Sequence, residues 1–169
     1  MELKEAIKKR RSIRKFTNKP VARDIVENLL LLANYAPSAG NLQARDFIIV
    51  DDQKKKEELA EASYNQEFVS EAPIVVVFCA NEKRISPYGQ RGKLYCIEDT
   101  SAAIENFLLA AFDEGLATCW VGAFDEEKVR EILRLPPYVK PIAIVPVGYA
   151  DEVPSEKWLR EDIIHYNKW

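Results

Sequence analysis

Five consecutive apolar residues, Ile74 to Phe78, constrain the fold more than any other feature of the sequence. A half-exposed strand alternates polar and apolar side chains, whereas an unbroken apolar run is typical of a strand buried on both faces. We predict further strands at Phe47 to Val50, Thr118 to Val121 and Pro141 to Val147. Two prolines in the last of these, which donate no ladder hydrogen bond, predict an edge or bulged strand.

The strongest helical pattern runs from Tyr95 to Gly115, where apolar or small residues recur at alternating steps of four and three. Weaker patterns predict helices over residues 2–10, from the stretch after Pro20 to Pro37, over Lys54 to Ser63 and from Asp125 to Leu133. Helices around one layer of four strands predict an α+β or α/β fold. The length of 169 residues, without repeats or a linker, predicts one domain over 1–169.

The composition of the sequence argues against a histidine-rich metal site, a Cys-x-x-Cys motif, a membrane span and a signal peptide. His165 is the only histidine, which excludes a metal site with several histidine ligands. Cys79, Cys96 and Cys119 form no Cys-x-x-Cys pair, and we interpret them as reduced thiols of the core. No apolar run reaches the roughly 18 residues of a membrane span, and the first residues lack the apolar middle of a signal peptide. We therefore expect a cytoplasmic protein that does not contact a membrane.

The segment from Lys8 to Lys15 concentrates positive charge and is the first candidate site. An extended chain would direct Arg10, Ser12 and Arg14 to one side, where guanidinium groups and a hydroxyl suit a phosphate, and would direct Arg11 and Ile13 to the other side. A solvated basic helix face is the ordinary alternative. Nucleic-acid binding is disfavoured, because the rest of the chain carries a net negative charge and no nucleic-acid-binding motif.

Two loops expose groups that suit a flat heteroaromatic ring. The loop from Ala36 to Gln43 presents Asn and Gln amides, which match a ring with alternating carbonyl and NH groups. The turn from Trp120 to Ala123 contains Gly122, which leaves its backbone N–H groups approachable. Each loop alone is equally well an ordinary turn. The Gly-x-Gly-x-x-Gly and P-loop motifs are both absent, which removes the main support for Rossmann or P-loop nucleotide binding.

In their order and spacing, these segments resemble the nitroreductase family of FMN-dependent oxidoreductases. The resemblance rests on six pieces: Arg10 to Phe16, Ala36 to Gln43, Asp99 to Ala111, Gly115 to Phe124, Val145 to Tyr149, and Arg160. It implies an α+β fold with a central mixed, largely antiparallel sheet flanked by helices. It also implies an intertwined homodimer, in which the helix over about 97–115 packs on its copy and FMN lies at the interface. A charge at Ile104 or Leu108 is then expected to break the dimer.

The same resemblance implies a set of cofactor-binding residues in this sequence. The basic segment and a C-terminal arginine would hold the FMN phosphate and the ring edge: Arg10, Arg11, Ser12, Arg14 and Arg160. The partner subunit would supply the loop that approaches the flavin: Pro37, Ser38, Ala39, Asn41 and Gln43. The turn would supply backbone N–H groups near flavin N5 and O4: Trp120, Gly122 and Ala123. Asn65 or Gln66 would touch the pyrimidine side.

The reaction that the resemblance implies requires no catalytic side chain, because the cofactor performs the chemistry. Hydride would pass from NADH or NADPH to flavin N5 and then to a small acceptor such as a nitroaromatic or a quinone. Arg14 or Lys15 would stabilise the reduced flavin near N1. Enone reduction, dehalogenation, flavin fragmentation and flavin binding without turnover are the alternatives. The stretch from Asn81 to Tyr95 is short compared with larger members, so we expect an open acceptor pocket. The charged and aromatic residues of this stretch are expected to be solvated loop residues, and contact with a substrate is the alternative.

Overall fold

The computed structural model describes residues 1–169 as six α-helices and one four-stranded sheet. The helices are α1 (Leu3–Lys9), α2 (Arg23–Ala33), α3 (Gln53–Ala62), α4 (Phe68–Glu71), α5 (Gly89–Asp113) and α6 (Glu126–Leu133). The strands are β1 (Arg45–Val50), β2 (Ile74–Asn81), β3 (Ala117–Thr118) and β4 (Val139–Gly148). Short 3₁₀ turns span Ala39–Asn41 and Ser86–Tyr88. The strand order is β1-β2-β4-β3, and every neighbouring pair is antiparallel.

Strand β2 is the centre of the molecule, and all eight of its residues are buried. Its alternate side chains enter two different hydrophobic cores. Ile74, Val76 and Phe78 pack with α2 and α5, and the Phe78 ring meets the Phe107 ring edge-on at 5.2 Å. The intervening residues, Val75 among them, pack with α3, α4 and α6. The predicted burial of this strand on both faces, and the α+β fold, are confirmed.

Strand β4 confirms the second form of the predicted edge or bulged strand. Its pairing with β2 has a register irregularity opposite Phe78 and Cys79, and it lies between β2 and β3 rather than at an edge. The expected partner strand over Thr118 to Val121 is reduced to the two residues of β3 and an isolated bridge from Val121 to Ile144. Most of β4 therefore has no continuous neighbouring strand on the side of β3. Proline has no N–H group to donate to a neighbouring strand, so its cost is small where no such strand is present.

Two helix boundaries also differ from the sequence prediction. Helix α2 ends at Ala33 rather than at Pro37, because the next carbonyl groups bond to the Arg45 side chain instead of continuing the helix. Helix α5 begins at Gly89, so the second half of the expected loop from Asn81 to Tyr95 forms the first turns of this helix. None of the helices combines the length and the apolar composition that crossing a membrane requires.

The buried thiol of Cys79 gives a test of this core. Burial raises the pKa of Cys79 from 9.0 to about 12, and the nearby carboxylate of Asp46 adds to the effect. In the unfolded chain the thiol ionises near its ordinary pKa, so its contribution to stability is complete below pH 9 and is lost as the pH rises towards 12. The free energy of unfolding should therefore fall by up to about 4 kcal/mol more in the wild type than in Cys79→Ala over this range. Parallel pH profiles of the two proteins in urea unfolding would contradict this burial.

Candidate functional site

The basic segment is an extended chain attached to the sheet. The N–H of Ile13 donates to the carbonyl oxygen of Thr118 at 3.0 Å, and the Ile13 side chain is buried beneath the segment. Ser12 and Arg14, on either side of Ile13, are exposed. This placement confirms the predicted alternation for Ser12, Ile13 and Arg14, since one anchored apolar residue directs its two neighbours outward. The alternation is wrong for Arg11, which was expected on the side of Ile13 but lines one groove together with Ser12 and Arg14.

These exposed groups line an open groove of about 380 Å³. Its lining residues come from the basic segment and from the chain after β4: Arg10, Arg11, Ser12, Arg14, Pro154, Ser155, Glu156, Lys157 and Trp158. Arg10 lies 3.9 Å from the Glu105 carboxylate of α5, and Arg11 also donates to the Lys8 carbonyl at 2.6 Å. The groove thus gathers three guanidinium groups and a hydroxyl, the donors that satisfy a phosphate.

Arg160 does not line this groove. Its guanidinium lies 3.7 Å from the carboxylate of Asp162, and both side chains are exposed. The chain from 151 to 169 contains no helix or strand. The structure therefore brings four of the five predicted phosphate ligands together and places the fifth elsewhere in the same chain.

The turn after β3 presents free backbone donors close to the basic segment. Gly122 and Ala123 are exposed, and their N–H groups bond to no acceptor in the chain. Trp120 is partly exposed, at 37%. The Gln66 side chain donates to the Ala123 carbonyl at 3.3 Å, which brings two predicted site residues into contact. Asn65 precedes Gln66 with a positive φ of 60°, a conformation that asparagine tolerates better than most residues.

Cys119, buried beside this turn, does not supply a nucleophile. Burial raises the pKa of its thiol, and the opposing influence of Arg14 and Ser12 is smaller. The thiol therefore stays protonated at neutral pH, and a protonated thiol is a poor nucleophile. The donors of the groove and the turn can bind and orient an anionic, flat ligand, but they offer no acid, base or nucleophile of their own.

The loop from Pro37 to Gln43 is held in an unusual backbone conformation. Gly40, Asn41 and Gln43 all have positive φ, at 55°, 55° and 49°. The Ser38 hydroxyl accepts the N–H of Gln43 at 3.0 Å, and the Gln43 amide accepts from the Asn34 amide at 2.8 Å. No hydrogen bond joins this loop to the basic segment or to the turn after β3 in the same chain.

Two residues that the sequence analysis did not assign to the site fix this loop. The buried Arg45 guanidinium donates to backbone carbonyls at 2.6 to 3.3 Å, including those of Ala36 and Pro37. The buried Asp99 carboxylate of α5 accepts the N–H of Ala39 at 3.0 Å. The only feature of the sequence that pointed to Arg45 was its position as a charged residue at the start of an apolar strand. Charged residues at such positions are usually exposed, so this feature does not predict burial.

The segment over 81–95 closes against the same loop. Arg84 donates to the Arg45 carbonyl at 2.7 Å and to the Asp46 carboxylate at 2.6 Å. The Tyr88 hydroxyl lies so near Gly40 that a Cβ atom there would approach it to 2.6 Å. Arg84 therefore bonds within the protein, whereas most residues of the segment are exposed, as expected for solvated surface residues.

Comparison with known proteins places these features in a family. The model of the nitroreductase family matches residues 7–90 and 63–149. A Methanothermobacter thermautotrophicus protein, provisionally named an NADH dehydrogenase/NAD(P)H nitroreductase, is 32% identical over all of this chain and 88% of its own length. An NADPH-dependent oxidoreductase of Staphylococcus aureus is 34% identical over 96% of this chain and 72% of its own.

A solved structure agrees with these sequence relatives. The NADPH:FMN oxidoreductase of Vibrio harveyi, complexed with NAD⁺, superposes with a TM-score of 0.91 at 29% identity, over 99% of this chain and 77% of that one. The family match and the sequence relatives thus cover most of the chain, and the fold agrees along its length. On this evidence the chain belongs to the nitroreductase family of oxidoreductases.

Proposed function

We propose that this chain binds FMN and uses it to transfer electrons from NADH or NADPH to a small acceptor such as a nitroaromatic or a quinone. One observation carries the proposal: an anion groove and a turn with free backbone donors lie at the same short strand, β3. The Ile13 to Thr118 hydrogen bond joins the two parts. The names of the S. aureus and V. harveyi relatives, which include NADPH and FMN, support the choice of substrate and cofactor.

The residues of the site fit the two ends of FMN. The phosphate would be held by the groove, where Arg10, Arg11 and Arg14 supply charge and Ser12 a hydroxyl donor. The ring would lie at the turn, where the N–H groups of Gly122 and Ala123 are free to donate. Because the groove is open at its surface, a ligand can enter it without any rearrangement of the core.

When bound, FMN would supply the redox chemistry, and the protein would supply binding, orientation and charge. The ammonium of Lys15, which does not line the groove, would stabilise negative charge at the ring edge. The turn would hold the ring by donors that are already in place, so that little rearrangement accompanies the reaction. The chain needs no further proton-transfer group for hydride transfer.

We propose that a second copy of this chain completes each site. The outer face of α5, defined by Leu94, Ile97, Ser101 and Leu109, belongs to neither hydrophobic core and is at least partly exposed. Its members lie three, four and eight residues apart, and the position between the last two is Glu105, an exposed acid whose carboxylate lies 3.9 Å from Arg10. Together they form one stripe that a copy of α5 can cover. The loop from Pro37 to Gln43, which has no hydrogen bond to the groove of its own chain, would then reach the FMN of the partner.

Two expectations from the sequence stay predictions: that the protein is located in the cytoplasm, and that residues 1–169 form a single domain.

The visible absorption spectrum of the protein, reconstituted with FMN and treated anaerobically with NADPH, tests the proposal. We expect flavin bands that bleach with NADPH and return when a nitroaromatic or a quinone is added. Failure to take up FMN would contradict the site itself. If the protein binds FMN and NADPH reduces it, but neither acceptor reoxidises it, then the acceptor is of another class. If the protein binds FMN but NADPH does not reduce it, then the protein is a flavin-binding protein that lacks turnover.

The substitution Arg10→Ala should weaken FMN binding by about 10- to 100-fold, because the phosphate loses a charge-assisted hydrogen bond. Fluorescence titration of the apoprotein with FMN measures the change. Lys8→Ala is the matched control, since Lys8 carries the same charge two residues earlier but does not line the groove. Equal losses in the two variants would show a general effect of charge, and no loss in Arg10→Ala would remove Arg10 from the site.

A further inference from the structure

Arg45 is a buried cation, 3% exposed, with every donor used. Its Nε donates to the Asn34 amide oxygen at 3.0 Å. Its two terminal nitrogens donate to four backbone carbonyls, those of Asn34, Ala36, Pro37 and Asp99. A guanidinium has five N–H groups in a fixed plane, and here all five have acceptors. The hydrogen-bonding capacity of the Arg45 side chain is therefore fully used. A lysine has only three donors and cannot make the same set of bonds.

The acceptors of Arg45 belong to two structural elements. Asn34, Ala36 and Pro37 form the end of α2 and the start of the loop that reaches Gln43, whereas Asp99 lies in α5. The contact from Nη1 to the Asp99 carbonyl is 2.7 Å long. One side chain therefore fixes the loop's first residues to the helix whose outer face is proposed to meet the second subunit.

Asp99 provides the opposing charge and a second attachment. Its Oδ1 accepts the N–H of Ala39 at 3.0 Å, while Oδ2 is buried without a hydrogen-bond partner. Burial lowers the pKa of Arg45, and the charge of Asp99 opposes that shift. The carboxylate thus holds the third residue of the loop and compensates for the desolvation of the guanidinium.

The backbone of the loop requires this support. The positive φ at Asn41 and Gln43 is sparsely populated by residues other than glycine, and such conformations persist when the surroundings over-determine them. Arg45 and Asp99 restrain the residues that lead into this stretch. Neither side chain is exposed, so neither can itself contact a ligand at the surface.

We infer that Arg45, with Asp99 as its counter-charge, is a positioning residue that holds the loop from Pro37 to Gln43 in its flavin-facing conformation before FMN binds. The inference rests on the proposed function for its ligand, but the loop conformation itself can be measured without FMN. Because the loop is attached to α5 through Asp99, its conformation is also tied to the proposed dimer helix. Preorganisation of this kind lowers the cost of ordering on binding.

The test compares Arg45→Met and Arg45→Lys with wild type in two measurements. Hydrogen exchange of the apoprotein should be about 10-fold faster or more at the N–H groups of Ala39 and Gln43 in Arg45→Met, as local protection is lost. The dissociation constant for FMN, corrected for the folded fraction, should rise by about 10-fold or more. Arg45→Lys should be intermediate in both, because it keeps the charge and some of the donors.

Arg130→Met is the matched control. Arg130 also donates to backbone carbonyls, those of Val139 at 2.5 Å and Pro136 at 3.2 Å, but none of its partners lies in the loop. We expect it to lose stability while exchange in the loop and FMN affinity stay within about twofold of wild type.

If Arg45→Met has the same hydrogen-exchange rates in the loop and the same FMN affinity as wild type, the inference is overturned. If Arg45→Met does not fold, Arg45→Lys decides: unchanged exchange and affinity overturn the inference, and intermediate values support it. If wild type itself fails to bind FMN, the proposed function fails, whereas the exchange measurement still establishes whether Arg45 shapes the loop. Faster exchange with unchanged FMN affinity would overturn the functional role, because the loop would then be shaped by Arg45 without mattering to FMN.

Discussion

An aspartate in place of Ile104 should leave most of the chain unfolded at 25 °C. Ile104 is fully buried, at 0% exposure, and packs in the core that β2 shares with α2 and α5. The substitution removes apolar burial and places an unpaired carboxyl group in that core, which together cost about 5 kcal/mol or more. Such a loss is comparable with the whole stability of a typical domain, about 5 to 15 kcal/mol.

Urea unfolding followed by far-ultraviolet circular dichroism measures this effect. Ile104→Val is the control, and its cost should stay near 0.5 to 1.5 kcal/mol, about that of one buried methylene group. If Ile104→Asp unfolded cooperatively at the same urea concentration as wild type, then α5 would have to be rotated relative to the sheet described above.

Arginine in place of Ser101 should have an equally large effect on assembly and none on folding. Ser101 lies in the middle of the outer face of α5, where a long charged side chain meets solvent in the monomer. In the proposed dimer the same side chain would be buried against its copy, so two like charges would be desolvated together. We expect a folded monomer whose affinity for FMN is lower by about 100-fold or more, since half of each site would be lost.

Light scattering and titration with FMN measure the two parts of this prediction on one sample. Ser101→Ala keeps the face small and uncharged, so this control should remain dimeric and bind FMN as wild type does. A Ser101→Arg protein that is still a dimer would place the interface on another surface. A monomer with unchanged FMN affinity would show instead that one chain suffices to build the site.

The contrast between Ile104 and Ser101 shows where prediction from the sequence ends. The alternating pattern along α5 correctly identified a helix with a strong apolar stripe, and it was then assigned to the dimer interface. The structure places Ile104 and Leu108 in the chain's own core instead. An apolar stripe is the same signal for a core and for an interface, because both exclude water. The outer face is less apolar, with a serine at its middle, and stood out less.

Local patterns were sufficient where a segment's environment follows from its own residues. The unbroken apolar run at Ile74 to Phe78 predicted burial on both faces, and the single apolar Ile13 between polar neighbours predicted that Ser12 and Arg14 point outward. The same alternation placed Arg11 on the wrong side, because Arg11 lines the groove with them. Arg45 could not be predicted in this way. Its burial depends on carbonyl groups contributed by a helix end, a loop and a distant helix, and no pattern within the strand contains that information.

The shortness of β3 has a consequence for how the site holds together. Its two residues carry the Thr118 carbonyl that attaches the basic segment, and the turn with the free N–H groups follows directly. Local opening of this end of the sheet would therefore separate the groove from the turn, and short terminal pairings are the parts of a protein that open most readily. A ligand that spans both parts binds only the closed form. At 100 times its dissociation constant, FMN would oppose that opening by about 2.7 kcal/mol.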